Sequence, residues 1–519
     1  MSTKEQLILR TPKLQNFRNP EVILNISDLK PWLESLPLFQ PVQTVHDLLD
    51  AITAINLQAI PSKKRQPLLD EYRQVILTIY PSLNQDALKR LSIKEEGREQ
   101  LFSNSTLLCL ALSDGYKIMV KDHLENSSTL KQDALLHPLY HAMEAASLAL
   151  LNSYRSYKTA PQYLYQDIHQ LFMLAEHSGL LTQELKDNPL SPCSNNLGGL
   201  YTQTMTLSSL DPFRMPSGVA EKLYERLSTL SEYCTVLHKV PSSDNMGVFA
   251  IDLAEDKAPQ SLFKTSLSNL TTPRVLDTRS MINKLHAEIT TLQSEPKGLA
   301  TNNEIDLLSR LLPASEEQLT RKADRVDTDK TCHISCGIDA ICHYLSINKG
   351  QLDQALQASD TDNHKHRLEP WTISNESETG LSLCNQQTSL FDVMVGDVIG
   401  ILIDTDTQPA KKPKVAIIRW IRNDQKNQIN IGVEFIGGNL LPADCTVVDA
   451  NDTPSTFSAL FISNVELNNA PSTLLAPKKI YQRGRIIDLY VSQSTLRIKA
   501  GFLHDESLKF DRFDFSSHS

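Results

Sequence analysis

A multidomain α+β fold, an N-terminal α-helical bundle or solenoid followed by a C-terminal antiparallel β-barrel, is what this sequence predicts. Three observations carry the prediction. Apolar residues recur at helical spacing over about the first 235 residues. The spacing falls to two beyond Arg325. A chain of 519 residues is also too long for one hydrophobic core, so roughly three or four domains are expected.

The helical elements come first. In "TVHDLLDAITAINL", Val45, Leu48, Leu49, Ile52 and Ile55 form one stripe, with Thr44 and Asp47 placed like a capping box. Pro61 and Pro67 punctuate the next stretch, after which Leu68, Leu69, Tyr72, Val75, Ile76 and Ile79 trace a second stripe up to Pro81. Leu139, Met143, Ala146 and Leu150 form a further stripe, as do Leu164, Ile168, Leu171 and Phe172. Short polar or proline-bearing links join them, with no repeat of fixed period. The α-helical region is therefore expected to span 1–235. A small mixed α/β region with connecting helices follows at 236–315, where "HKVPSSDNMGVFAIDLAEDKAP" reads as a short strand after a turn, closed by Asp and Pro, and "SMINKLHAEITTLQ" as a helix.

From there the pattern is β. "QINIGVEFI" puts Ile429, Ile431, Val433 and Phe435 on one face and Asn430, Gly432 and Glu434 on the other, the mark of a half-buried antiparallel strand. "KVAIIRWIR", "TGLSL", "VIGILI" and "RGRIIDLYV" are further strands separated by turn residues. The polar insert at 348–370 reads equally as a short helix or a loop.

Composition limits the function classes. Hydrophobic residues make up 40% and charged residues 22%, ordinary globular usage. A net charge of -10 argues against a nucleic-acid coat, which needs a broad basic face. No apolar run reads as a signal peptide or membrane span, so a soluble, cytoplasmic protein without membrane insertion is expected. Eight scattered cysteines fit reduced thiols rather than a disulfide framework.

Two short stretches carry groups suited to a compact anionic ligand. "RKADR" offers Arg321 and Arg325, whose guanidinium forks pair with phosphate or the guanine edge and whose flat faces stack on purines. "NESETG" offers Asn375 and Ser377, two apart and so on one face of a strand, and Gly380, which permits a special backbone angle or a close approach. Either stretch alone is a weak signal; together, in order and in a strand-rich region, they are fairly specific.

These paired motifs resemble those of the PilZ domain, a bacterial β-barrel family that binds cyclic di-GMP. The resemblance covers 316–450, with "VGDVIGIL" and "IGVEFIG" as later strands, "RVDTDKTCHISCGIDAICHYL" as the first strand region, and a β-rich extension at 451–519. It implies a PilZ-like barrel in which Arg321 and Arg325 meet guanines and phosphates while Asn375, Ser377 and Gly380 form the barrel face of the site. Lys322 is an added cation without a fixed role. The gap between the motifs is longer than the family usually shows, and the 348–370 insert fills it.

The expected function is accordingly a cyclic di-GMP receptor that signals through its helical region to a protein partner in motility, pilus, type IV pilus or biofilm control. Binding, not enzymatic turnover, is its expected chemistry, with no cofactor and no metal. The alternative is a ligand-independent PilZ-like adaptor that scaffolds a protein partner. Three other constellations read as structural. The Cys332, His333, Cys336, Cys342 and His343 cluster lacks zinc spacing, and His137 and His141 lack the adjacent glutamate of a zinc protease. "KKPK" with Arg419 and Arg422 reads as a solvated basic loop.

Overall fold

A computed structural model describes residues 9–15, 19–83, 95–126, 132–185, 190–240, 245–294, 299–312, 324–347, 350–352, 366–385, 391, 393–403, 412–424, 428–447, 455–463, 471–478, 480–507 and 509–518. The chain forms two compact units, Met1–Pro212 with Ser217–Thr320, and Phe213–Pro216 with Arg321–Ser519. Among the described residues no helix is long and apolar enough to cross a membrane.

The first unit is helical, as its stripes require. Its helices are α1 Ile26–Glu34, α2 Pro41–Leu57, α3 Ser62–Ile79, α4 Glu95–Asn126, α5 Gln132–Arg155, α6 Leu164–His177, α7 Leu197–Ser209, α8 Val219–Leu230, α9 Arg279–Ser294 and α10 Leu299–Ser309. Val45, Leu48, Ile52 and Ile55 are fully buried, as are Leu139, Met143, Ile168 and Leu171. Removing such stripes from water is the main term holding the bundle together, at roughly 25 cal/mol per Å² of apolar surface.

The start of α2 differs from the capping box that the sequence suggests. The helix begins a turn earlier, at Pro41, whose ring already holds the φ that a first helical residue needs. The Thr44 hydroxyl instead donates back to the Pro37 carbonyl at 2.8 Å. The other end of α2 is closed from outside: buried Arg65 of α3 donates to the Ile55 carbonyl at 3.2 Å and to that of Gln58 at 2.7 Å. Helix C-terminal carbonyls lack partners in their own helix, so a guanidinium here satisfies what the fold would otherwise bury unpaired.

A four-stranded antiparallel sheet completes this unit, in the order β1 Thr235–Leu237, β4 Pro273–Asp277, β2 Val248–Asp252 and β3 Gln260–Ser261. Nearby, His169 of α6 is fully buried, with one ring nitrogen 2.8 Å from the Tyr201 hydroxyl and the other 3.3 Å from the Lys257 carbonyl. Those partners suit a neutral ring. Burial lowers its pKa from the ordinary 6.5 to about 4. Burial, together with the neighbouring His141, lowers that of His137 likewise to about 4.

The sign of the pH effect follows. Between about pH 6.5 and pH 4 the unfolded chain takes up protons that the folded one refuses. Stability is therefore whole above pH 6.5 and declines on acidification, with His169 alone contributing a slope of about 1.4 kcal/mol per pH unit in that window. Chemical denaturation at pH 7 and pH 5 checks this, and His169→Gln should flatten the dependence.

The second unit holds two barrels. In the first, β6 Thr331–Cys336, β7 Glu369–Glu376, β8 Gly380–Asn385, β9 Val398–Ile403, β10 Lys414–Asn423 and β11 Ile429–Phe435 pair in the cyclic order β7-β6-β9-β10-β11-β8, and the β7–β8 pairing closes the ring. A two-residue strand, β5 Val326–Asp327, adds to β7. Trp371, Ile373, Leu383, Ile401, Ile418 and Ile431 are almost fully buried and fill the interior.

The second barrel is closed in the order β12-β13-β14-β17-β16-β15, from β12 Asn439–Val447, β13 Ser455–Ser463, β14 Thr473–Pro477, β15 Ile486–Val491, β16 Ser494–Glu506 and β17 Phe510–Ser517. Asn439–Val447, inside the 316–450 stretch, thus pairs entirely with strands of the C-terminal extension. A helical bundle followed by antiparallel β-barrels is the fold class that the sequence predicts.

One segment departs from the strand reading. Ile338–Ser346 is a helix, α11, entered through Gly337 at φ 91°, a backbone angle that suits glycine. Ile338, Ile341, Cys342 and Leu345 lie on one face of it and pack against Val398 and Ile417 of the first barrel and Leu460 and Ile462 of the second. Their spacing is helical in the sequence itself. Of the 348–370 insert, residues 348–349 and 353–365 lie outside the described residues.

Candidate functional site

The site begins with a strand register. β5 runs antiparallel to β7, pairing Val326 with Glu376 and Asp327 with Asn375. Carrying that register back by one residue sets Arg325 across from Ser377. Arg325 therefore lies alongside the "NESETG" segment, about fifty residues away in sequence. Arg325 is exposed and Asn375 and Ser377 are half-buried, so all three are open to solvent beside one another. Arg321 and Lys322 lie outside the described residues.

The second motif is a hairpin. β7 ends at Glu376 and β8 begins at Gly380, and the turn is held by the Ser377 amide, 2.9 Å from the Gly380 carbonyl, and by the Ser377 hydroxyl, which donates to the same oxygen at 3.1 Å. Ser377 thus shapes the turn, and its oxygen lone pairs stay available as acceptors. A β-bulge between Ile373 and Asn375 shifts the register, so Asn375 sits opposite Ser382 instead of continuing the buried series of Trp371 and Ile373. That places the Asn375 amide on the outer face of the barrel.

Gly380 is explained by proximity. A Cβ there would stand 2.0 Å from the Val433 carbonyl oxygen, and backbone in the middle of a paired strand has little room to retreat. Gly380→Ala should force β8 away from β11, costing about 1–3 kcal/mol in overpacking and strain and loosening the turn that carries Ser377. A denaturant titration of the variant reads the first effect. Wild-type stability in Gly380→Ala would contradict it.

Sequence reasoning missed several neighbours. Lys330 places its ammonium 2.9 Å from the Glu376 carboxylate, adding a cation next to the second motif. Ser382 of β8, Gly432 of β11 and Trp420 of β10 face outward in one transverse row with Asn375, because Asn375 pairs with Ser382, Ser382 with Gly432, and Gly432 with Trp420. The alternation in "INIGVEF" does put Gly432 on the outer face. Its neighbours across the sheet are not legible there.

The other constellations resolve into packing. Cys332 and Ile334 point into the barrel from β6 and are fully buried, whereas Cys342 and His343 belong to α11. Among the described residues no group of three or more His, Cys, Asp or Glu side chains is placed to hold a metal ion. His141 and Glu144 form a buried network with Arg73 in the helical unit. Within the basic stretch, Lys414 lies over the Phe435 ring at 4.8 Å, and Arg419 pairs with Glu434 at 2.8 Å and with Asp505 of β16 at 3.3 Å. Lys411 lies outside the described residues.

Comparison with known proteins bears on both ends of the chain. Residues 27–242 match the family model described as "Cyclic-di-GMP receptor FimW, N-terminal domain", and residues 445–518 match "FimW C-terminal beta-barrel domain". Across its length the chain is 18% identical to the Cyclic-di-GMP receptor FimW of Pseudomonas aeruginosa PAO1, an alignment covering 94% of this chain and 90% of the relative. The first match spans less than half of the chain and the second a shorter stretch at its end. The arginine and Asn-x-Ser-x-x-Gly motifs lie between the two matched stretches.

Proposed function

We propose that this chain, whose two ends are similar to FimW domains, is a cyclic di-GMP receptor that binds the dinucleotide on the outer face of its first, PilZ-like barrel. The observation that carries the reading is the β5–β7 register, which brings Arg325 beside Asn375 and Ser377. The 18% identical relative, matched over nearly its whole length, is named a receptor for that ligand and supports the same assignment. Arg325 and Arg321 would clamp phosphate and guanine with charge-assisted, fork-shaped hydrogen bonds. Asn375 would add an amide that can donate and accept, and Ser377 an oxygen fixed by its turn.

The chemistry is capture rather than turnover. Arg321 begins the second compact unit, so ligand held between it and the hairpin would order the linker to the helical unit and bias how that unit meets a protein partner. Control of motility, pili or biofilm is the corresponding output. Calorimetric titration of the full chain with cyclic di-GMP, with GTP as control, tests the proposal. Saturable binding specific to the cyclic dinucleotide is the expected result, and no binding at all would remove it.

A further inference from the structure

The helical unit carries a cleft of about 940 Å³, remote in sequence from both motifs. One wall is the chain leading into α1, at 20–26, and the other is the turn from α2 into α3, with Ile60, Lys63 and Lys64. Its size is at the upper end of the roughly 300–1,000 Å³ of ligand clefts, room for a short extended peptide. Val22, Ile23, Leu24 and Ile60 line it and are only half-buried, so apolar surface is left there to cover. Backbone is left there too. Among the described residues the amides and carbonyls of Ile23 and Leu24 make no backbone hydrogen bond, while at the cleft's edge Gln15 already bridges in parallel to Gln58. An extended peptide adds to such an unpaired edge through its own amides and carbonyls.

The α3 wall sets the sign of the partner. Lys63 and Lys64 are exposed in the first turn of α3, which holds no acidic residue. Unpaired amides make the start of a helix positive, so cations are unfavourable there and an anion is favoured. Neither ammonium has an ion-pair partner among the described residues. The facing wall carries Glu21 and Asp28. Asp28 stands in the first turn of α1, where a carboxylate offsets that helix's own dipole. The lysine pair is therefore the charge that the fold itself leaves uncompensated.

We propose that this cleft receives an extended, acidic segment of a partner protein. Its carboxylates meet Lys63 and Lys64, its apolar side chains cover Val22 and Ile60, and its backbone pairs with Ile23 and Leu24. The two acids of the facing wall confine the partner's carboxylates to the α3 side. Two lysines are too few to hold a nucleic acid, and a flat lipid surface would leave the walls of the cleft uncovered. The inference concerns the helical unit alone and stands whether or not the barrel binds a dinucleotide.

Short random peptides displayed on phage are selected on the full chain. Those enriched are synthesised with a fluorescein label and titrated by anisotropy against wild type and the Lys63→Glu, Lys64→Glu double variant. They should combine Asp or Glu at one end with Val, Ile or Leu at alternate positions. The double variant should bind them about tenfold more weakly or worse, the size of losing one charge-assisted hydrogen bond, and added salt should weaken wild-type binding. Both lysines are exposed, so the variant should melt at or above the wild-type temperature. Should it melt lower, Lys63→Gln, Lys64→Gln takes its place under the same criterion. No enrichment, enrichment of basic or purely apolar peptides, or affinity within twofold of wild type in the double variant overturns the proposal. Vesicles of phosphatidylcholine with phosphatidylglycerol are the second probe: lysine-dependent binding to them without peptide binding assigns the pair to a lipid surface instead.

Discussion

Arg325→Ala should lower cyclic di-GMP affinity by roughly ten- to a hundredfold and leave the fold as it was. The size follows from hydrogen bonds to a charged group, worth about 1.5–3 kcal/mol each, with every 1.4 kcal/mol amounting to tenfold in binding. The selectivity of the effect follows from position. Arg325 is exposed and precedes β5 rather than packing under it, so its loss opens no cavity. Arg325→Lys should recover only part of the affinity, because an ammonium keeps the charge but not the planar fork. Calorimetry together with a thermal melt checks both variants. Unchanged affinity at an unchanged melting temperature would detach Arg325 from the site and leave the hairpin alone to explain any binding.

Glu144→Ala should be among the most destabilising single substitutions in the helical unit. Glu144 is 1% exposed. Its carboxylate accepts from Arg73 Nε at 2.5 Å and Nη2 at 2.8 Å, and from the Ser191 hydroxyl at 2.5 Å, with His141 Nδ1 at 3.1 Å. It thereby ties α3, α5 and the segment before α7 at one point. Burial by itself would push this carboxyl up, but hydrogen bonds from His141 and Arg73, with the Arg73 charge, hold it well below the usual carboxylate range.

Removing one partner of a buried pair leaves the other charge uncompensated, at a cost of about 3–5 kcal/mol. Glu144→Gln, which keeps an acceptor but not the charge, should cost less. Urea unfolding followed by helical circular dichroism measures both. A loss below about 1 kcal/mol for Glu144→Ala would mean that the network contributes little and that Arg73 finds water on its own.

Much of this was legible before any coordinates. The stripes through Val45–Ile55 and Leu68–Ile79 announce helices because a helix brings residues three and four apart onto one face, whatever surrounds it. The alternation in "INIGVEF" announces a strand with Gly432 outward for the same local reason. Capping was less legible: Thr44 and Asp47 have the right chemistry, yet Pro41 starts the helix first. The helix Ile338–Ser346 was readable from its own spacing but was hidden by its place among strands.

For the candidate site the boundary lies at register. Residue type and order marked Arg325, Asn375, Ser377 and Gly380 as a set, and turn chemistry accounts for Ser377. Nothing local shows that Val326 pairs with Glu376, that a bulge at Ser374 turns Asn375 outward, or that a closed ring sets Trp420 over Gly432. By itself the sequence determined which elements form and which face of each is apolar, since those depend on neighbours a few residues away along one chain. Only the tertiary structure decided which groups meet, because strand pairing joins segments tens of residues apart. Closing each barrel then fixes every register at once, through contacts that no single segment contains.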